Sequence, residues 1–273
     1  MQTPEHGPDK TSWLFTYPDT YEIGLPNAGL QILYEIINER PDAAAERSYA
    51  PWVDMEELLR REGLPLFSVD THKPAGEFDI IAFNLSAELT YTNLVNCIDL
   101  AGVPIHSARR ADADPLIAVG GHCTYNPEPI ADFVDLVVLG DGEEVIGDIT
   151  DLVGEWKRNG KNAGTREGLL RELSKIEGVY VPSMYEVEYD GEFLAAVNPR
   201  YPDVPEKVEK RTVADLAECE SAEEKAELCD KADLLVERLE AKADSAEAFV
   251  DGPICAGHLA RHRNAIQQLP DTH

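Results

Sequence analysis

The chain has 273 residues, with 52 Asp and Glu against 24 Lys and Arg, which gives a formal net charge of −28 and a pI near 4.5. Proteins that bind nucleic acid or anionic membrane surfaces use clustered Lys and Arg, and a negative charge of this size repels both partners. Strongly acidic chains are often disordered, but 43% hydrophobic residues is typical of a folded chain. The composition therefore argues against nucleic acid and acidic membranes as partners and predicts a folded protein.

The amino-terminal sequence is polar, without the basic and apolar regions of a signal peptide, and no stretch reaches the roughly 18 apolar residues of a membrane span. The five cysteines lack the spacing of a disulfide framework, so reduced thiols are expected. They are Cys97, Cys123, Cys219, Cys229 and Cys255. Together these features predict a cytoplasmic protein.

The first 160 residues alternate apolar runs with helical patterns, which predicts strand–helix–strand units and a mostly parallel sheet. The first predicted elements are a strand at 13–17, a helix at 29–39, a strand at 46–49, a helix at 55–61 and a weaker strand at 66–69. Asp54 is the expected N-cap of the second helix, and Gly63 is expected to end it.

The apolar run at 78–85 is nearly continuous, as in a central strand that is covered on both faces. The elements predicted after it are a helix at 92–101, a strand at 115–119, a strand at 133–139 and a helix at 143–157. Four strand ends carry Gly or small polar residues, and doubly wound sheets bind ligands at such ends. We therefore predict a doubly wound, flavodoxin- or Rossmann-like α/β domain over residues 11–160.

The remaining sequence has a different composition. Residues 161–216 are predicted to form a small α+β extension, with a helix at 166–175, a short strand at 179–182 and a hairpin around Asp190 and Gly191. Three prolines then indicate a linker. Residues 217–273 are rich in Ala, Glu, Lys and Leu and predict a helical acidic tail.

The most informative stretch is residues 120–144, in which two predicted strands each end in a pair of glycines. Glycines at the carboxyl ends of adjacent strands let the backbone approach a ligand, which favours a cleft at this edge. A phosphate site would need Lys or Arg, whereas Asp141, Glu143 and Glu144 offer carboxylates. The pattern suits a neutral ligand rich in amides and hydroxyls, of which cobalamin is an example.

Three long segments carry a resemblance to a known family. They are YPDTYEIGLPNAGLQILYEIINER (17–40), DIIAFNLSAELTYTNLVNCIDLAGVP (79–104) and GGHCTYNPEPIADFVDLVVLGDGEE (120–144). These segments resemble the N-terminal cobalamin-binding region of radical S-adenosylmethionine (radical SAM) proteins, and the similarity continues to about residue 216. The resemblance implies a flavodoxin-like fold with the corrin on the carboxyl edge of the sheet.

The resemblance also implies a set of cofactor-binding positions at that edge, with Ser86, Gly121 and Gly142 as the expected backbone or hydroxyl contacts. The full set is Tyr17, Pro18, Asp19, Glu22, Gly24, Asn84, Leu85, Ser86, Gly120, Gly121, His122, Gly140, Asp141, Gly142 and Glu143.

The sequence departs from this family in one decisive respect, because it contains no Cys-x3-Cys-x2-Cys triplet to bind a [4Fe–4S] cluster. The cluster and S-adenosylmethionine are therefore expected only on a missing or separate catalytic barrel. The leading hypothesis is a cobalamin-binding module that is not catalytic alone and presents the corrin to that barrel, which is a possible partner chain.

Three further points stay open. Asp70-Thr71-His72 imitates a cobalt-ligating motif, and His122 is a rival ligand, although cobalamin can bind without either. Cys255, His258 and His262 share one predicted helical face and form a weak candidate metal site. The alternatives to the leading hypothesis are a ligand-free interaction domain of the same fold and a metal-binding protein that uses this Cys/His cluster.

Overall fold

The computed structural model describes residues 5–159 and 165–212 of the chain. These residues form a six-stranded sheet in the order β2-β1-β3-β4-β5-β6. The strands are β1 (Thr11–Tyr17), β2 (Ala43–Tyr49), β3 (Ile80–Asn84), β4 (Leu116–Gly120), β5 (Leu136–Val138) and β6 (Val179–Tyr180). The first five are parallel and β6 is antiparallel to β5. The predicted doubly wound α/β fold, with flavodoxin-like strand order, is confirmed.

Helices connect the strands and cover both faces of the sheet. They are α1 (Tyr21–Gly24), α2 (Ala28–Glu39), α3 (Val53–Glu62), α4 (Tyr91–Leu100), α5 (Gly142–Arg158) and α6 (Arg166–Leu173). On one face, α2 packs against β1, β2 and α5, and the Trp13 indole donates a 3.0 Å hydrogen bond to Thr150 of α5. Because parallel crossovers are right-handed, the reversal of strand order at β1 places α3 and α4 on the other face. None of the described helices is both long and apolar enough to cross a membrane.

The core lies in the central strands, as their apolar runs predict. Every residue of β1 except Tyr17 is buried, and the side chains of Ile80, Ile81 and Phe83 in β3 have almost no exposed surface. A strand that is covered on both faces must place apolar side chains at successive positions, and this gives a continuous run in the sequence.

Three local predictions need correction. Asp54 lies in the first turn of α3, and Trp52 holds the N-cap position without a side-chain cap. Asp54 favours the helix by its charge near the N-terminus and by accepting a 2.7 Å hydrogen bond from the Met55 N–H. Residues 66–69 form no strand, because Phe67 makes only an isolated bridge to Pro74. The strand expected at 133–139 is limited to β5, since a 3-10 helix ends at Phe133. Gly63 ends α3 as predicted, with φ +65°.

The extension contains the predicted hairpin, formed by β7 (Tyr185–Asp190) and β8 (Phe193–Pro199). Its base is fixed by a hydrogen bond of 2.8 Å from the Tyr185 hydroxyl to the Pro205 carbonyl oxygen. The Arg200 guanidinium also donates to the Tyr185 carbonyl oxygen at 3.0 Å. The predicted tail at 217–273 lies outside the described residues, and the predicted domain boundaries stay predictions.

Two buried carboxylates are held by dense polar contacts. Asp135, at the start of β5, accepts from Arg110 at 2.7 Å and from Arg166 at 3.1 Å. Glu46, in β2, accepts from the Ser68 and Thr71 hydroxyls and contacts His6. Burial raises the pKa of the Glu46 carboxyl, but these hydrogen bonds outweigh it and leave the pKa below its ordinary value of 4.5. Both groups fulfil the requirement that a buried charge be paired or hydrogen-bonded.

Candidate functional site at the carboxyl edge of the sheet

The strand order changes direction between β1 and β3, and the segments that follow β1 to β5 lie at the same edge of the sheet. In open α/β sheets, ligands bind outside the carboxyl ends of the strands at such a switch point. The fifteen residues predicted from the sequence end or follow β1, β3, β4 and β5, so the fold brings them to one edge.

A polar cluster at the switch point links β3 to α2. The Asn84 amide donates to Asn27 Oδ1 at 3.2 Å, and Ser86 Oγ donates to Asn84 Oδ1 at 2.9 Å. Asn27 Oδ1 also accepts from the Leu30 backbone N–H at 2.8 Å and thereby caps α2. Asn27 was missed in the sequence reasoning, although an Asn directly before a helical pattern is a recognisable N-cap signal. The side chains of Asn84 and Ser86 are thus positioned by contacts across the switch point.

The two glycines after β4 have different roles. Gly121 has φ +104°, and a Cβ at this position would lie 2.7 Å from the Leu85 carbonyl oxygen and 3.0 Å from Asn84 Oδ1. Gly121 therefore permits close packing of β4 against the end of β3. A Cβ on Gly120 would meet no atom within 4 Å, so the backbone there faces open space that a ligand could use.

The segment after β1 is ordered by backbone contacts. The Asp19 carboxylate accepts a 2.7 Å hydrogen bond from the Thr20 backbone N–H, and the Pro18 carbonyl oxygen accepts one of 2.9 Å from the Asn93 side-chain amide. Gly24 packs tightly, since a Cβ there would lie 2.6 Å from the Tyr49 ring. Glu22 is exposed on α1. Of the residues predicted after β1, the exposed Glu22 is the most accessible to a ligand.

The glycine pair after β5 contacts the chain itself. Gly140 has φ +97°, and a Cβ there would lie 1.9 Å from the Arg211 carbonyl oxygen. Arg211 pairs with this strand end through hydrogen bonds from its N–H to Leu139 and from the Asp141 N–H to its carbonyl oxygen, at 2.9 and 3.0 Å. A Cβ on Gly142 would lie 3.1 Å from Leu33. Gly140 is therefore required by internal packing, whereas Gly142 only lies close to the end of the Leu33 side chain. A contact with a ligand stays a prediction for both.

The segments at this edge carry negative charge and almost no positive charge. The segments 17–27, 50–59, 84–93, 120–129 and 139–144 contain no Lys or Arg, and His122 is their only basic side chain. They also carry eight exposed large apolar side chains, with exposed fractions from 37% to 91%. These are Tyr21, Ile23, Trp52, Val53, Met55, Leu58, Leu89 and Tyr125. An apolar and acidic edge suits a broad, uncharged or cationic ligand and disfavours an anion.

Among the described residues, two hydroxyl groups near this edge are buried without a hydrogen-bond partner, Thr16 Oγ1 and Tyr49 OH. Tyr49 is the last residue of β2, and burial raises the pKa of its phenol to about 12. Native proteins rarely leave a buried polar group unpaired, so such groups call for an explanation.

The histidines proposed as cobalt ligands differ in their surroundings. His122 is exposed in the 3-10 turn after β4 and lies at the candidate edge. His72 packs against the Phe67 ring, and the Asp70 carboxylate accepts from the backbone and guanidinium of Arg47. Asp70 is therefore engaged by Arg47, and no hydrogen bond to His72 is present. The weak metal candidates Cys255, His258 and His262 lie outside the described residues.

Comparison with known protein families gives a matching family. The family model for radical SAM proteins, N-terminal, matches residues 29–182, which is more than half of the chain. The chain belongs to this radical SAM family. The matched range contains the candidate residues after β3, β4 and β5, whereas those after β1 precede it. No curated protein matches the chain. In full-length proteins, the family implies S-adenosylmethionine and an iron–sulfur cluster.

Proposed function

We propose that this domain binds cobalamin at the carboxyl edge of its sheet. The observation that supports it most is the switch point itself, where open backbone at Gly120 adjoins the polar side chains of Asn84 and Ser86. The segments after β1, β3 and β4 carry no Lys or Arg, and the Arg211 guanidinium near the end of β5 is ion-paired with Glu144 and Asp148. Cobalamin is a broad macrocycle whose rim carries many amides, so its binding requires hydrogen bonds and apolar cover without a basic site.

The residues at the edge fit such a ligand in three respects. Exposed Trp52, Leu89 and Tyr125 offer apolar surface for the macrocycle. Ser86 and Asn84 offer hydrogen-bonding groups for amides, and the space above Gly120 leaves room for close approach. When bound, cobalamin would supply a cobalt centre that can carry a methyl group. The role of this chain is to bind and orient the corrin.

The catalytic part of the system lies, in this proposal, on a separate barrel that carries the cluster and S-adenosylmethionine. The sequence has no cysteine triplet for a [4Fe–4S] cluster, so we do not assign radical chemistry to the residues of this chain. The proposal makes the chain a non-catalytic module with a barrel-bearing partner.

The test is a titration of the purified full chain with hydroxocobalamin, followed by its visible absorbance and by equilibrium dialysis. We expect saturable binding with one corrin per chain. Gly120→Val should abolish it, because its side chain fills the open space without a clash at Cβ. Gly7→Val is the matched control, since Gly7 precedes β1 at the opposite edge and also has room for a Cβ. Absence of any saturable binding by the wild-type chain would refute the proposal.

A second candidate function is a ligand-free interaction domain that uses the same edge. The eight exposed large apolar side chains at this edge favour it, because exposed apolar surface marks protein contacts as well as ligand sites. The two candidates differ in their response to Trp52→Ser. If the edge binds a protein, Trp52→Ser should weaken assembly with a barrel-bearing partner, as measured by light scattering. In that case the wild-type chain should bind no corrin.

A further inference from the structure

Tyr49 has a buried hydroxyl that the fold does not use. The residue ends β2 and is 5% exposed, and its OH has no hydrogen-bond partner among the described residues. Its pair in the register of β1 is Tyr17, so both side chains project from the same face of the sheet at the carboxyl edge. An unpaired buried hydroxyl costs stability, whereas phenylalanine would fill the same space without that cost.

Tyr49 is covered by α1, through the Tyr21 ring and through the backbone at Gly24, where a Cβ would lie 2.6 Å from the Tyr49 ring. The Tyr21 ring lies edge-on to the Tyr49 ring, with centroids 5.1 Å apart, and is itself 47% exposed. Tyr21 begins α1, which has four residues and no side-chain cap at Thr20. A helix of one turn has little stability of its own, so its displacement requires little free energy.

We propose that Tyr49 is a ligand-contacting residue of the cobalamin site, and that its hydroxyl is uncovered when Tyr21 moves aside and then hydrogen-bonds a polar group on the rim of the ligand. This inference rests on the proposed function and adds to it a residue and a movement. The donor is a neutral phenol throughout the physiological range, because burial holds its pKa near 12. The group it meets is an amide or hydroxyl of the rim, because the Arg47 guanidinium, whose charge acts on the Tyr49 phenol, already binds the Asp70 carboxylate.

Among residues 5–159 and 165–212, Thr16 carries the other buried hydroxyl without a hydrogen-bond partner, but it lies one residue before the end of β1. Because side chains alternate along a strand, it projects from the face opposite to Tyr17 and Tyr49. The proposal is therefore restricted to Tyr49.

The experiment compares Tyr49→Phe with the wild-type chain in hydroxocobalamin titrations and in thermal unfolding without ligand. We expect the Kd to increase about three- to tenfold, the usual size of one neutral hydrogen bond. The melting temperature without ligand should be unchanged or higher. Tyr185→Phe is the matched control, because its hydroxyl is satisfied by Pro205 at 2.8 Å. That variant should melt at a lower temperature and keep the wild-type Kd.

The movement of Tyr21 has its own readout. Tyr21→Ala removes the ring that α1 places over Tyr49, so stopped-flow mixing should show faster association of hydroxocobalamin than in the wild-type chain. An unchanged or slower association overturns the displacement of Tyr21.

The outcomes separate the inference from the function on which it rests. If the wild-type chain binds hydroxocobalamin and Tyr49→Phe binds equally well, the role of Tyr49 is overturned and the proposed function stands. If Tyr49→Phe lowers the melting temperature as much as Tyr185→Phe does, the hydroxyl has a partner within the protein and the role is also overturned. If the wild-type chain binds no corrin, both proposals fail.

Discussion

Gly121→Ala should destabilise the fold far more than Gly120→Ala, although the two glycines are neighbours. At Gly121 the backbone has φ +104° and ψ 179°, a region that residues with a Cβ avoid at a cost of about 1–3 kcal/mol. The added methyl would also lie 2.7 Å from the Leu85 carbonyl oxygen, closer than real Cβ contacts come. Together these effects predict a loss of about 3 kcal/mol in the free energy of unfolding.

Thermal and urea unfolding of the purified chain measure this loss. In a folded unit of this size, about 3 kcal/mol corresponds to a decrease of about 6–12 °C in melting temperature. Gly120→Ala is the control, because its Cβ meets no atom within 4 Å, and we expect it to be neutral or slightly stabilising. If Gly121→Ala melted within about 2 °C of Gly120→Ala, the inference that Gly121 is needed for close packing of β4 against the end of β3 would be refuted.

Three other substitutions test the contacts around the sheet by urea unfolding. Asp135→Ala leaves two buried arginines without their carboxylate and should cost about 3–5 kcal/mol, whereas a loss below about 1 kcal/mol would contradict a buried ion pair. Gly140→Ala should lower the free energy of unfolding more than Arg211→Ala does. The added Cβ at residue 140 would collide with the Arg211 backbone, whereas Arg211→Ala removes only exposed ion pairs worth about 0–1 kcal/mol. The reverse order of stability losses would refute the pairing of Arg211 with β5. The pKa of Glu46 is lowered in the folded state, so its contribution is present above its ordinary pKa of 4.5 and is lost as the pH falls through the lower folded value. Glu46→Gln should flatten this acid-side dependence, and an unchanged pH profile would show that the carboxyl is not responsible.

The sequence was sufficient to predict the fold because its central strands are buried on both faces. The runs around Ile80 and Ile117 are apolar at successive positions, and this pattern depends on local spacing alone. The short strand β5 was less predictable, since the apolar residues before it pack as a 3-10 turn and not as a strand.

The site was predictable only in outline. Glycines after strands indicated the correct edge, but the sequence cannot distinguish Gly121, which is needed for packing, from Gly120, which borders open space. The bond between Asn27 and Asn84 joins residues that are 57 positions apart, and the unpaired hydroxyl of Tyr49 is a property of its surroundings. Both depend on tertiary contacts, which no local pattern encodes.

The backbone of Arg211 pairs with the end of β5, and in the proposed function this pairing is coupled to the binding of a ligand at the edge. Gly140 is a neighbour of the Arg211 backbone and, in the proposed function, part of the ligand edge. A ligand that changes the conformation of Gly140 must change the free energy of this pairing, and by thermodynamic reciprocity the pairing changes the ligand's affinity by the same factor. Occupancy of the edge would thus be communicated to the polypeptide at residue 211 through two backbone hydrogen bonds.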